Sequence, residues 1–244
     1  MKRIITLSTA IALGALTISS CSKDKWGCKR ANGNMTTETR MVEDFTQVHL
    51  EGSGDIVFHQ IDSENDERII VEASDNVMDR IETKVKRGKL TIDNDCIRGT
   101  KNDMKFDIYV MDLSKVSISG SGSAITDGNF DVTGNLDFNI SGSGDIDFST
   151  NAKDINIDIS GSGNVDLNGT CEDIDVKISG SGELNAFSME ANDCYVDISG
   201  SGSCRVFTNG LLDVSISGSG DVIYDGTPIT VNTDTQGSGD VRRR

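Results

Sequence analysis

Ile140-Ser141-Gly142-Ser143-Gly144-Asp145-Ile146 returns as Ile159-Ser160-Gly161-Ser162-Gly163-Asn164-Val165, and again as Ile178-Ser179-Gly180-Ser181-Gly182-Glu183-Leu184. In all, Gly-Ser-Gly begins at Gly52, Gly120, Gly142, Gly161, Gly180, Gly200, Gly218 and Gly237. From Gly120 onward the spacings are 22, 19, 19, 20, 18 and 19 residues. A near-constant period of this size is the signature of a solenoid.

Aligning the copies on their first glycine exposes the core. Two residues before it stand Leu50, Ile118, Ile140, Ile159, Ile178, Ile198 and Ile216; four before it, Val48, Val116, Phe138, Ile157, Val176, Val196 and Val214. Four after it stand Ile56, Ala124, Ile146, Val165, Leu184, Cys204, Val222 and Val241. Between them alternate Asp, Asn, Ser and Lys, the pattern of strands with one buried face. A lone coil cannot bury such a face, so the coils must stack, and each column becomes an aliphatic ladder. Glycine supplies the positive φ and the close approach that a sharp turn within a stack requires. A propeller blade needs about 40 residues and a leucine-rich repeat a different leucine pattern, so both fit worse. The reading is all-β, a parallel β-helix with coils of 19–20 residues.

The period breaks between Gly52 and Gly120. Alternating runs at 68–73, 89–93 and 105–111 mark strands, and Ser74–Ile81 is a short helical candidate capped by Ser74. This region reads as a β-rich insertion between the first coil and the regular array, or as irregular coils. At the other end, Thr233 and Thr235 replace core aliphatics, as a polar terminal cap requires.

Lys2 and Arg3 precede an apolar stretch, Ile4–Ile18, and then Ser19, Ser20 and Cys21. That is the layout of a cleaved secretion signal, too short to span a bilayer comfortably. Ile18-Ser19-Ser20-Cys21 resembles the lipobox of bacterial lipoproteins, which makes Cys21 the lipidation site and residues 1–20 the signal. Residues 21–40 then read as a flexible tether, 41–115 as the first coil with the irregular part, and 116–244 as the regular helix.

The formal net charge is −16; removing Lys2 and Arg3 with the signal leaves −18. Residues 116–241 hold 20 acidic residues against Lys153, Lys177 and Arg205, and Arg242–Arg244 follow. Nucleic-acid binding needs clustered cations and is excluded.

Three segments together resemble one family: Asp44-Phe45-Thr46-Gln47-Val48 leading to Gly52-Ser53-Gly54-Asp55-Ile56, the serial Ile-Ser-Gly-Ser-Gly copies, and Gly237-Ser238-Gly239-Asp240-Val241-Arg242-Arg243. They look like the "putative auto-transporter adhesin, head GIN domain" family, common among Bacteroidota lipoproteins. The resemblance covers residues 41–243. It implies a right-handed parallel β-helix, a place in the cell envelope and a binding role. Ser22-Lys23-Asp24-Lys25 after Cys21 holds one acidic residue, which fits attachment at the outer membrane with either the periplasmic or the surface face. The chain lacks a translocator barrel.

Asp55, Asp145, Asn164, Glu183, Asp221 and Asp240 stand three residues after the first glycine, interrupted by Ser123 and Ser203. Stacked, they form a column of hard oxygen ligands suited to Ca²⁺; solvated carboxylates that discourage edge pairing are the plainer reading. No other cofactor is expected. Cys194 and Cys204 fall in ladder positions and read as buried hydrophobes, whereas Cys28 and Cys96 can pair in an oxidising envelope. His49 and His59 flank the first turn with no serine or cysteine tied to them, so catalysis is not expected. Tyr195 is the one aromatic at an outward position inside the array, with Phe187 and Phe207 nearby in sequence.

The leading expectation is a non-catalytic envelope lipoprotein presenting an acidic face to protein or glycan. A purely structural envelope protein is second and a polysaccharide-active enzyme third.

Overall fold

The computed structural model describes residues 27–63, 66–94, 97–98 and 104–244. Each coil contributes one strand before its Gly-Ser-Gly and one after it, so two parallel sheets run along the stack. The pre-turn sheet contains Gln47–Gly52, Lys115–Gly120, Leu136–Gly142, Asp154–Gly161, 173–180, 193–200, Leu211–Gly218 and Thr230–Gly237. The register is in phase: Val116 pairs with Phe138, Ile118 with Ile140 and Gly120 with Gly142. The post-turn sheet repeats this with Ile146 on Val165 and Phe148 on Leu167. The columns named by the alignment are the buried ones, from Leu50 and Ile56 to Ile216 and Val222.

Gly161 shows why the turn needs glycine. Its φ is +138°, and a Cβ there would lie 2.3 Å from the Gly142 carbonyl oxygen. The third glycine needs no positive φ, but a Cβ on Gly163 would strike both the Gly144 carbonyl oxygen at 2.5 Å and Ile140 Cγ2 at 2.6 Å, one rung below. The serine between them holds the stack through its backbone, Ser162 N–H donating to Gly142 O at 2.8 Å.

The insertion is not between the first coil and the array in space. Gln47–Gly52 pairs directly with Lys115–Gly120, Gly52 beside Gly120, and Asp55–Gln60 pairs with Ser123–Thr126. The intervening chain lies on the far side of the first coil. There Lys89–Asp93 and Met104–Val110 form a further parallel rung. Glu82–Lys86 folds antiparallel onto Lys89–Asp93, and Arg68–Ser74 onto Met104–Val110. The chain thus builds a closing layer beneath the first coil and returns above it.

Asn94 substitutes for the missing turn in that rung. It is buried, its Oδ1 accepts Ser53 N–H at 2.9 Å, and its Nδ2 donates to Ser53 O at 2.6 Å. In later coils the serine N–H is taken by a glycine carbonyl.

Two local expectations change. The tether is folded over part of its length: Met35–Met41 pairs antiparallel with Arg68–Ser74. Its polar residues, Thr36 to Arg40, suit an exposed edge strand, which covers the edge that Arg68–Ser74 would otherwise leave open. The candidate helix 74–81 is a single 3-10 turn, Met78–Arg80, because Ser74 is still in a strand. Val77, Met78 and Ile81 are buried all the same, packed against the core from a turn and not from a helix face. Thr230–Gly237 is exposed along its length and ends the pre-turn sheet.

Candidate functional site

Function must come from the outward columns, since the inward ones are spent on packing. Along the post-turn sheet, Asn side chains donate to the carboxylate one coil earlier: Asn164 Nδ2 to Asp145 Oδ1 at 2.9 Å, and Asn185 Nδ2 to Asp166 Oδ1 at 2.8 Å. Ser123 Oγ donates to Asp55 Oδ1 at 2.6 Å in the same way. Alternating amide with carboxylate relieves the repulsion that a pure Asp column would suffer at about 4.8 Å spacing. Glu183 pairs with Arg205, and Asp221 accepts Asp240 N–H at 3.0 Å. The column foreseen for calcium therefore exists, with its members engaged with one another. Among the described residues, no group of three or more His, Cys, Asp or Glu is placed to hold a metal ion. The same face forms a shallow groove of about 510 Å³ lined by Asp145, Asp147, Asn164, Asp166, Glu183 and Asn185.

Tyr195 lies on the opposite, pre-turn sheet, between Asp175 and Asp213, and is 40% exposed. Partial burial and the Asp193, Asp173, Asp213 and Asp175 carboxylates push its phenol upward from the usual range. Phe187 and Phe207 are not its neighbours on that face. They belong to the post-turn side, where Phe207 pairs with Asp225 and Phe187 falls at a register shift. The Arg244 guanidinium lies 5.0 Å from the Phe187 ring centre. Closeness in sequence failed here because the chain turns a corner between Phe187 and Tyr195.

His49 is not isolated. Its Nε2 lies 3.0 Å from Ser119 Oγ, and its Nδ1 lies 3.9 Å from Glu51 Oε1. Residue order hides this contact, because Ser119 joins His49 only when the first coil stacks on the array. Burial lowers the His49 pKa, opposed by Glu51 and assisted by Lys89. The constellation resembles a hydrolytic triad in composition only. The Glu51 contact is too long for a hydrogen bond, so no carboxylate orients the His49 ring as a triad requires. Ser119 also belongs to a column with Ser141, Ser160, Ser179, Ser199 and Ser217. The repeat alone accounts for it.

His59 is a structural fastener. It stacks on Tyr109 at 4.5 Å and 16°, with Arg68 3.8 Å from the Tyr109 ring centre. Its ring nitrogens lie 2.9 Å from Asp107 and 3.0 Å from Asp127. Although burial opposes it, hydrogen bonds from His59 and Lys105 hold the Asp107 carboxyl below the usual range. Closing layer, first coil and array are tied at this point.

Cys171, Cys194 and Cys204 are buried free thiols; burial raises Cys171 to about 12, with Asp173 and Asp154 adding to it. Cys28 is disulfide-bonded. Cys21 and Cys96 lie outside the described residues.

Residues 44–228 match the family described as "Putative auto-transporter adhesin, head GIN domain". The chain belongs to that family. Solved structures of similar shape include a "putative adhesin" from Bacteroides fragilis, with TM-score 0.80 and 23% identity over 88% of this chain and 99% of that one. A "putative lipid binding protein" from Parabacteroides distasonis gives TM-score 0.71 at 24% identity, over 88% and 99% of the two chains. A "putative adhesin" from Parabacteroides merdae gives 0.68 at 19%, over 89% and 100%. At these identities the likeness is one of fold. No curated protein matches the chain. The GIN-domain resemblance read from the Gly-Ser-Gly copies therefore holds, and with it the parallel β-solenoid.

Proposed function

We propose that this GIN-domain chain is a non-catalytic, lipid-anchored envelope protein whose solenoid presents an acidic surface to protein or glycan. The observation that carries this is the division of labour along each strand. Inward residues are apolar and close-packed, whereas outward ones are polar or charged, with Tyr195 standing half-exposed between Asp175 and Asp213. A ring exposed at this position adds nothing to the packing of the coils and offers an apolar contact within an acidic surface. The adhesin descriptions of the Bacteroides and Parabacteroides relatives agree with a binding role, and the "lipid binding" description of one leaves the ligand class open.

Anchoring rests on Ile18-Ser19-Ser20-Cys21, which makes Cys21 the lipidated residue, and the outer membrane is the proposed destination. The purified protein is to be screened against matrix proteins, mucins and glycans. Saturable binding weakened by Tyr195→Ala supports the reading. A screen with no saturable binder favours a purely structural role, and release of reducing or unsaturated sugar from polysaccharide points to an enzyme.

A further inference from the structure

The closing layer and the array differ in charge. Residues 116–244, which build the array, carry a balance of −14 (20 acidic, six basic), with Arg242–Arg244 at its far end. The segments that close the other end, 27–41 and 75–93, hold eight cations (Lys29, Arg30, Arg40, Arg80, Lys84, Lys86, Arg87, Lys89) against five anions. Lys29 pairs with Asp79, Arg40 with Glu38 and Lys84 with Glu82. Lys84, Lys86, Arg87 and Lys89 are all exposed on one hairpin, and Lys86 and Lys89 face each other across its two strands. The outermost post-turn strand, Met35–Met41, exposes Met41 at 68% and Met35 at 44%.

The chain leading to this end is short. Between Cys21 and the disulfide-bonded Cys28 lie residues 22–27, which fully extended reach no more than about 25 Å. An acyl anchor at Cys21 therefore holds the cationic, methionine-bearing end near the lipid surface. The ten strands of the pre-turn sheet carry its far edge roughly 45 Å away, at about 4.8 Å per strand.

We infer that the closing layer is a membrane-facing surface, in which Lys84, Lys86, Arg87 and Lys89 meet anionic phospholipid headgroups while Met35 and Met41 reach the acyl boundary. Basic groups beside an anchor are drawn to an anionic leaflet, and the carboxylates of the array are repelled by it. Both forces act in the same sense and stand the solenoid away from the bilayer with Thr230–Gly237 outermost. Exposed methionines suit an irregular apolar contact. The inference rests on the anchoring proposed above.

The test uses the lipidated full-length protein, reconstituted in vesicles of neutral phosphatidylcholine or of phosphatidylcholine with about 30 mol % phosphatidylglycerol. Flotation is measured first, then acetylation of each lysine by mass spectrometry. The inference expects flotation with both vesicles. It also expects Lys84, Lys86 and Lys89 to react at least about threefold more slowly on the anionic ones, with the difference removed by about 0.5 M salt. Lys153 and Lys177 should react alike on both. Flotation with equal reactivity of the three hairpin lysines on both vesicles overturns the inference and leaves anchoring intact. Failure to float with neutral vesicles overturns the anchoring itself, and this inference with it.

Discussion

Gly120 stands directly on Gly52, so close that a Cβ on Gly120 would lie 2.1 Å from the Gly52 carbonyl oxygen. Sixty-eight residues separate the two in the chain, yet they are consecutive rungs of one column. The repeat therefore continues through the first coil, and its demand for glycine is the same at every turn.

That demand is measurable. Gly161→Ala places a side chain at φ +138° and against the Gly142 carbonyl, and should destabilise the fold by about 2 kcal/mol or more. Gly134→Ala meets nothing within 4 Å and should change stability by less than about 0.5 kcal/mol. Urea unfolding of the two variants compares them, and equal losses would contradict the account of the turn.

Asn94→Leu removes both partners of the Ser53 peptide. Leaving that half-buried N–H and C=O unmatched should cost about 1–2 kcal/mol. Hydrogen exchange should show the first Gly-Ser-Gly opening while the turns at Gly161 and Gly180 stay protected. Uniform loss of protection across the stack would show instead that the coils unfold as one unit.

Ser119 should not react with a fluorophosphonate probe, because the Glu51 carboxylate lies 3.9 Å from His49 Nδ1, too far to orient the ring as a base. Mass spectrometry of the labelled protein decides it. Modification of Ser119 that disappears in His49→Gln would overturn the non-catalytic reading.

The thiols divide by burial. Cys171, Cys194 and Cys204 should resist a water-soluble thiol reagent in the native protein and react once it is unfolded. Parallel pairing of Lys29 with Ile97 makes Cys96 the expected partner of Cys28. Non-reducing peptide mapping should recover residues 28 and 96 in one linked fragment, and a different linkage would dismiss that pairing.

The fold was legible because every coil repeats one turn, so the inward columns could be counted from Gly52 to Gly237. Even the irregular spacings have a structural counterpart. The 20-residue coil after Gly180 contains the register shifts around Phe187, and the 18-residue coil after Gly200 lacks the matching residues. What stayed hidden depends on contacts distant in sequence. The rung built by Lys89–Asp93 and Met104–Val110 has no Gly-Ser-Gly, since Asn94 stands in for it. His49 and Ser119 meet only after the chain has closed that rung and returned. Met35–Met41 is polar enough to read as a tether, and only the open edge of Arg68–Ser74 makes it a strand. On the outside, the columns were foreseen but their company was not, as the separation of Tyr195 from Phe187 and Phe207 shows.

A binding protein of the envelope has to meet its partner, so exposure of the array on the cell is the decisive quantity. Intact cells are treated with a membrane-impermeant amine reagent, and Lys153 and Lys177, both exposed on the array, are read by mass spectrometry. The account predicts that both are modified on intact cells to the same extent as after the outer membrane is opened. Modification only after the membrane is opened would place the solenoid in the periplasm and contradict an adhesive role.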